Sequence, residues 1–284
     1  MTRATNGHHA LPRSVADSSR PRVSVVMPTL NEARNLPAVF EQMPGDIHEI
    51  IVIDGFSRDD TVEVAARIDP RVRIVLQDRR GKGNALATGF DAVTGDVVVT
   101  LDADCSADPG EIERFVDALV GGADFAKGSR YLPEGGSDDL TWFRSFGNKF
   151  LSGSVNVLFG TSYTDLCYGY NAFWTHCLPY ITLYCDGFEV ETVMNIQVAQ
   201  AGLTVQEVPS WERLRLHGES NLHPIRDGLR IERAIMRELF GKAGRGAAAK
   251  LAERRGHPRG APIDAFEHER RACFRYSGAV TATS

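Results

Sequence analysis

The stretch from Val97 to Leu101 constrains the fold of this chain more than any other. It is a continuous apolar, mostly β-branched run, which is typical of a strand buried on both faces of a sheet. The run ends in Asp102-Ala103-Asp104, and carboxylates at the end of a buried strand are costly to desolvate without a positive partner. A divalent cation suits them, because Mg²⁺ and Mn²⁺ bind carboxylate and phosphate oxygens. The alternative that these residues only cap a turn stays open at this point.

Strands and helices alternate through the first half of the chain. Apolar runs predict buried strands at 23–27, 50–53, 72–76, 97–101 and 124–127, with helical spacing between them. This alternation predicts a parallel sheet covered by helices, in which ligands bind beyond the carboxyl ends of the strands. Thr29 or Asn31 is expected to cap the helix after the first strand, and Asp108 to cap the one that begins at Pro109.

The alternation breaks after residue 131. Residues 132–141 and 211–222 are expected to be loops, and helical spacing is present at 146–159 and at 225–240. We therefore expect one domain over residues 22–240, with halves at 22–131 and 132–240. Residues 1–21 are expected to be a disordered tail, and residues 241–284 a weakly ordered one.

Composition excludes several classes of protein. The formal net charge of −5 argues against a nucleic-acid binder. No apolar run approaches the roughly 18 residues that span a bilayer, and the N-terminus has no apolar core of a signal peptide. The five cysteines include no Cys-x-x-Cys pair, which predicts free thiols in a reducing compartment. We expect a soluble cytoplasmic protein.

The helix predicted at 225–240 carries a row of basic residues, namely Arg226, Arg230, Arg233 and Arg237. A basic amphipathic helix followed by a basic tail can lie on an anionic membrane surface, here the inner face. The alternative is a solvated helix packed on its own domain, and the sequence leaves both open.

Several motifs together resemble those of family-two glycosyltransferases of GT-A fold. In chain order they are Val25–Glu32 (VVMPTLNE), Val52–Thr61 (VIDGFSRDDT), Gly81–Ala85 (GKGNA), Asp102–Asp104 (DAD), Gly128–Tyr131 (GSRY) and Gly218–Ser220 (GES). The branch they resemble most comprises the dolichyl- and polyprenyl-phosphate mannosyltransferases and glucosyltransferases. The resemblance implies an α/β GT-A fold, with a mostly parallel, Rossmann-like sheet flanked by helices and a C-terminal helical extension.

The resemblance also implies roles for individual residues. The nucleotide-sugar would be bound by Pro28, Asn31, Glu32, Asp54, Lys82, Asp102, Arg130 and Arg213. Asp102 and Asp104 would hold the Mg²⁺ or Mn²⁺ that bridges the diphosphate and offsets the charge of the departing nucleoside diphosphate. Arg213 or Arg215 would bind the diphosphate or an acceptor phosphate, and Arg130 would serve the acceptor side.

Glu191, with Glu189 beside it, is a candidate general base. A hydroxyl acceptor would need such a base, whereas a phosphate acceptor is already anionic and needs none. The alternative for both residues is a favourable charge at a helix N-terminus. Three positions depart from the branch pattern: Leu30 replaces an aromatic residue, Gly55 an acidic one and Ser106 a glutamine that would ligate the metal.

The resemblance implies an inverting glycosyltransferase that uses a hexose donor of the GDP-mannose or UDP-glucose type. Polyprenyl phosphate at the cytoplasmic membrane face is the expected acceptor, and a soluble small molecule of secondary metabolism is the alternative. A non-catalytic nucleotide-sugar-binding protein is a further alternative. A nucleotidyltransferase would need a glycine-rich basic signature after the first strand, where this chain has residues 28–32 instead. The oligomeric state stays open.

Overall fold

The computed structural model describes residues 20–219 and 222–241. Its elements are, in chain order, β1 (Val23–Thr29), α1 (Leu36–Glu41), β2 (Glu49–Asp54), α2 (Thr61–Ile68), β3 (Val72–Leu76), α3 (Lys82–Ala92), β4 (Val97–Thr100), α4 (Ile112–Val120), β5 (Phe125–Ser129), β6 (Gly136–Ser137), α5 (Trp142–Phe159), β7 (Asn171–Trp174), α6 (Val190–Gln200), β8 (Val205–Pro209), β9 (Trp211–Glu212) and α7 (Pro224–Phe240). Two 3₁₀ helices, Pro109–Glu111 and Thr175–Tyr180, precede α4 and follow β7.

A mostly parallel sheet of seven strands organises the described residues, in the order β3-β2-β1-β4-β7-β5-β8. Strands β1 to β4 pair in parallel, as do β5 and β8, whereas β7 runs antiparallel to both of its neighbours. The α/β sheet that the sequence predicted is confirmed. The short strands β6 and β9 pair with each other inside two segments for which the sequence predicted loops.

Alternation of side chains along the central strands fills two core layers. Val25 and Met27 face the layer that includes residues of α1, α2 and α4. Val26 and Val98 face the opposite layer, formed with residues of α3 and α6. Because both faces are covered, the strands read as continuous apolar runs rather than alternating ones.

Helices α5, α6 and α7 share a third cluster of buried side chains. Leu151 and Val155 of α5 lie in it with Ile196 of α6 and with Ile231 and Ile235 of α7. The basic helix predicted at 225–240 is therefore α7, and one of its faces is packed on its own domain. No helix in the part of the chain that is described here has the length and apolar composition needed to cross a bilayer.

The predicted helix caps had mixed outcomes. Asp108 accepts a hydrogen bond from the Gly110 backbone N–H at 2.8 Å, as expected of an N-cap. Thr29 and Asn31 do not cap α1, which begins at Leu36. The Thr29 hydroxyl donates to the Ile53 carbonyl, and the Asn31 side-chain oxygen accepts from the Arg58 backbone N–H. Both side chains therefore link the end of β1 to the end of β2 and the loop that follows it.

The four cysteines within the described residues are free thiols, as predicted. They are Cys105, Cys167, Cys177 and Cys185. Cys273 and almost all of both predicted tails lie outside the described residues.

Close packing of α3 on the sheet depends on Gly89. A Cβ at this position would lie 2.5 Å from Val26 Cγ1 and 2.9 Å from Ile53 Cδ1. We expect Gly89→Val to lower the free energy of unfolding by about 1–3 kcal/mol through overpacking. The matched control is Gly153→Ala in α5, where a Cβ would meet nothing within 4 Å, and it should raise stability by up to about 1 kcal/mol. Urea unfolding measures both, and a Gly89→Val protein as stable as the wild type would contradict the packing.

Candidate active site

A cleft of about 1430 Å³ opens at the carboxyl ends of β1, β2 and β4. The loops after these strands form one wall, and residues of α5, α7 and the start of α6 complete it. Pockets for single small ligands usually measure about 300–1,000 Å³. This cleft therefore has room for two substrates side by side.

Lys82 links two carboxylates at the centre of the cleft. It opens α3, and its Nζ lies 2.7 Å from Asp102 Oδ1, after β4, and 2.8 Å from Glu191 Oε1, in the first turn of α6. Burial by itself would lower the pKa of Lys82, but the two carboxylates outweigh that effect and raise it. Burial raises the pKa of Glu191, although Lys82 opposes the rise. We call Lys82, Asp102 and Glu191 the lysine cluster.

The glycines beside Lys82 let the start of α3 approach the loop before α6. A Cβ at Gly81 would lie 1.9 Å from the Asp186 carbonyl oxygen, and one at Gly83 would lie 2.1 Å from the Cys185 carbonyl oxygen. The backbone N–H of Gly83 donates to the Asp186 carbonyl. The motif Gly-Lys-Gly thus places Lys82 by backbone contact.

Arg215 links a second pair of carboxylates. Its guanidinium lies 2.9 Å from Glu32 Oε1, after β1, and 2.8 Å from Asp104 Oδ2. Backbone hydrogen bonds from Leu216 to Asp104 and from Arg213 to Ser106 hold the loop that bears Arg215 against the loop after β4. Burial raises the pKa of Glu32, opposed by Asn35 and Arg215. We call Arg215, Glu32 and Asp104 the arginine cluster.

The two clusters leave an excess of negative charge. With every carboxylate ionised, the four acidic groups exceed the two cations by two charges. No group of three or more His, Cys, Asp or Glu side chains among residues 20–219 and 222–241 is arranged to hold a metal ion. Two carboxylates nevertheless suit Mg²⁺ or Mn²⁺, since such ions commonly take one or two carboxylates and complete their shell with water and substrate phosphate. The donor chemistry of Asp102 and Asp104 therefore fits the predicted cation.

Two buried oxygens near the ends of β2 and β3 lack partners in the described structure. Asp54 accepts hydrogen bonds from the Phe56 and Ser57 backbone N–H groups through Oδ2, while its Oδ1 has no partner. The Oε1 atom of Gln77, which follows β3 and lines the cleft, is also without one. Unpaired buried acceptors are costly, so this region is suited to a ligand that brings N–H or O–H donors. Gln77 was missed at the sequence level, although it follows a strand just as Asp102 does.

The other predicted site residues lie at the margins of the cleft. Pro28, in β1, and Asn31, two residues after β1, line it. Arg213 is half exposed and pairs with Asp108 at 2.7 Å. Phe56 lines the cleft beside Leu30, with the Arg80 guanidinium 6.0 Å from its ring centre. An aromatic face is thus present at this end of the cleft, but on the loop after β2.

Arg130 is buried, and protein groups engage its guanidinium. Its Nε and Nη2 donate to the two oxygens of Asp165 at 2.7 and 3.0 Å, and its Nη1 donates to Glu212 at 2.9 Å. Burial alone would raise the pKa of Asp165, but the hydrogen bonds and charge of Arg130 outweigh it and lower the pKa. The arrangement is that of a structural ion pair at the edge of the cleft.

Comparisons with known proteins agree with the predicted resemblance. The model of the family described as glycosyl transferase family 2 matches residues 24–176, more than half of the chain. Glycosyltransferase AglJ of Haloferax volcanii is 31% identical over 72% of this chain and 68% of its own length. Polyprenol monophosphomannose synthase of Mycolicibacterium smegmatis is 33% identical over 66% of this chain and 76% of its own length.

A solved structure confirms the predicted fold. The glucosyl-3-phosphoglycerate synthase of Mycobacterium tuberculosis, crystallised with Mn²⁺, UDP and glucosyl-3-phosphoglycerate, superposes with a TM-score of 0.62. The match covers 77% of this chain and 80% of that one at 22% sequence identity, so it supports the fold alone.

Removing the carboxylate of Asp165 should destabilise the protein, because the buried guanidinium of Arg130 would lose its main partner. We expect Asp165→Asn to lower the free energy of unfolding at pH 7 by about 3–5 kcal/mol. The depressed pKa means that this contribution is complete above pH about 4, the value for an unfolded Asp, and is lost as pH falls below it.

The measurement is denaturant unfolding of both proteins across the acid range. The control is Asp139→Asn, which removes an exposed partner of Arg144 and should change stability by at most about 1 kcal/mol. A pH-independent difference between wild type and Asp165→Asn would contradict the ion pair.

Proposed function

The chain belongs to glycosyl transferase family 2, and we propose that it transfers a hexose from a nucleotide-sugar to polyprenyl phosphate with inversion at the sugar C1. The observation that carries the proposal is the pair of carboxylates, Asp102 and Asp104. Each is paired with a basic side chain of the protein, in a cleft wide enough for two substrates. In the proposed reaction an acceptor phosphate oxygen forms the new bond to C1 as the bond to the nucleoside diphosphate breaks. The donor is of the GDP-mannose or UDP-glucose type.

Asp102 and Asp104 would hold a divalent cation in this proposal. A bound Mg²⁺ or Mn²⁺ supplies Lewis-acid stabilisation of the departing diphosphate. The mycobacterial synthase of the same fold was crystallised with Mn²⁺ and UDP, and we propose ligands of the same kind for this chain. Lys82 and Arg215, released from the two aspartates, would then pair with diphosphate oxygens, and the planar guanidinium can do so through two hydrogen bonds.

The region around Asp54 would bind the nucleoside. The unpaired oxygens of Asp54 and Gln77 would accept hydrogen bonds from donors on the base or ribose. Phe56, with Arg80 beside it, would supply the stacking surface that Leu30 lacks. We assign Arg130 to support of the cleft wall, because its donors are engaged by Asp165 and Glu212.

The surroundings of Glu191 favour a phosphate acceptor. Its carboxylate is buried and lies 2.8 Å from the Lys82 ammonium, so it is suited to positioning Lys82 more than to accepting a proton from a substrate. A phosphate acceptor is already anionic and requires no general base. The mannose synthase among the relatives, whose name includes polyprenol, supports the same acceptor class.

One observation favours a second candidate, a transferase with a hydroxyl acceptor on a soluble small molecule. Glu189 lines the cleft two residues before Glu191, and its Oε2 is buried without a hydrogen-bond partner. A carboxylate oxygen in that state could act as the general base that a hydroxyl acceptor requires.

A donor and acceptor panel tests the proposed function. The full chain is incubated with GDP-mannose or UDP-glucose, Mg²⁺ or Mn²⁺, and a short polyprenyl phosphate, the matching polyprenol, or buffer alone. We expect sugar transfer to polyprenyl phosphate and none to the alcohol, and Glu189→Gln should leave that transfer within about threefold of wild type. Transfer restricted to hydroxyl acceptors and lost in Glu189→Gln would establish the second candidate instead.

Asp104→Asn tests the cation site. Loss of one anionic oxygen should reduce metal-dependent turnover by at least about 100-fold, because the Lewis acid contributes several kcal/mol at the transition state. Asp78→Asn, on an exposed carboxylate before α3, is the matched control and should retain activity. Turnover is measured over a Mn²⁺ titration, and full activity of Asp104→Asn would exclude this residue from the cation site.

A further inference from the structure

The solvent side of α5 is apolar. Trp142, Phe146, Phe150 and Val157 fall on one stripe of the helix, and their exposed fractions are 81%, 66%, 57% and 85%. The buried residues Leu151 and Val155 lie on the opposite side of the same helix. A surface helix of a soluble domain normally places polar residues where this stripe lies.

Helix α7 has a second exposed apolar stripe, next to its arginines. Ile225, Leu229, Met236 and Phe240 repeat at helical spacing and are 73%, 54%, 41% and 72% exposed. Helical geometry places them away from the buried Ile231, at positions i, i+4, i+11 and i+15. Each is followed directly by an arginine or, for Phe240, by Gly241, so a basic row runs along one flank of the stripe.

Both stripes border the same cleft. On α5, Phe143 and Gly147 line the cleft, and each lies one residue from a member of the exposed stripe. On α7 the cleft is lined by the arginine row, which consists of Arg226, Arg230, Arg233 and Arg237. The two helices also pack on each other through Leu151, Val155, Ile231 and Ile235. The exposed apolar surface therefore lies at the rim of the cleft, with a basic wall just inside it.

The arginines beside the apolar stripe indicate which partner this surface binds. An apolar stripe flanked by arginines is the pattern of a helix that lies in the plane of a membrane interface, with its cations on anionic headgroups. A symmetric dimer formed through the same surface would place one arginine row near another, which is unfavourable. The positive charge of the arginine row is neutralised only in part. Arg226 Nε and Arg230 Nη1 share one carboxylate oxygen, Asp227 Oδ1, at 3.5 and 3.6 Å.

We propose that Trp142, Phe146, Phe150, Val157, Ile225, Leu229, Met236 and Phe240 form a lipid-docking surface that seats the cleft mouth on an anionic membrane. Docking inserts the two stripes among the headgroups and presents a headgroup-level phosphate to the arginine row. The inference that the protein binds a membrane depends only on the exposed residues. That the acceptor phosphate arrives from the lipid phase rests on the proposed function.

Vesicle sedimentation tests the docking surface. The full chain is mixed with vesicles of phosphatidylcholine alone, or of phosphatidylcholine with phosphatidylglycerol. We expect strong preference for the anionic vesicles, and a drop of at least about tenfold in partitioning for Trp142→Ser/Phe146→Ser/Phe150→Ser. Val120→Ser, which removes an exposed apolar side chain of α4, is the matched control and should bind as wild type does. Thermal unfolding of each variant verifies that it is folded.

Arg226→Gln/Arg233→Gln should keep its apolar stripe but lose the preference for anionic vesicles. The docking surface would be overturned if the wild type bound neither kind of vesicle. It would also be overturned if the triple variant bound the anionic vesicles as strongly as the wild type does. A triple variant that instead converts a wild-type dimer to a monomer would assign the surface to a second copy of the chain, and would also overturn it.

A transfer assay separates this inference from the proposed function. If both hold, the triple variant loses transfer to polyprenyl phosphate embedded in vesicles but retains transfer to a short, water-soluble polyprenyl phosphate. Transfer by the wild type to the soluble acceptor without vesicle binding refutes docking and leaves the proposed function standing. Vesicle binding without transfer to either acceptor refutes the proposed function and leaves docking standing.

Discussion

Neutralisation of the carboxylates gathered at one edge of the sheet is the constraint on which the site depends. Parallel strands bring their carboxyl ends together, so Glu32 and Asp102, from the ends of neighbouring strands, share one cleft. Buried or half-buried acids cannot stay ionised there without positive partners. Lys82 and Arg215 provide those partners, each between two carboxylates. In the proposed function, a metal ion and a diphosphate would take the place of these two side-chain cations.

Much of the fold could be predicted, because strands buried on both faces leave unmistakable apolar runs. The runs that became β1 to β4, the aspartate that ends β2 and the aspartates that follow β4 were all recognisable. The partners of those acids were not, since Arg215 pairs with a residue 183 positions away and no periodicity encodes such a contact. Arg130 illustrates the same limit: the motif around it is visible, but its engagement with Asp165 appears only in three dimensions. Helical spacing likewise predicted most of α5 without indicating that its aromatic side faces solvent.

The positions of the apolar and charged surfaces suggest how the two substrates would be kept apart. At the end of the cleft proposed to bind the nucleoside, Gln77 has an unpaired oxygen and lines the cleft, and Asp54 beside it has another. The opposite end is bounded by α5 and α7, whose outer surfaces are apolar and whose inner wall is basic. A water-soluble donor and a lipid-linked anion would thus approach from different sides and meet near Lys82. Membership of glycosyl transferase family 2 is compatible with this division, and the acceptor side is where the proposal goes beyond the family.

A crystal structure of the full chain with Mn²⁺ and GDP or UDP would show whether the two aspartates hold a metal ion beside the diphosphate. We expect metal density between Asp102 and Asp104, with Lys82 or Arg215 moved from its aspartate to a diphosphate oxygen. A nucleotide bound elsewhere, with both aspartates still paired to Lys82 and Arg215, would contradict this expectation.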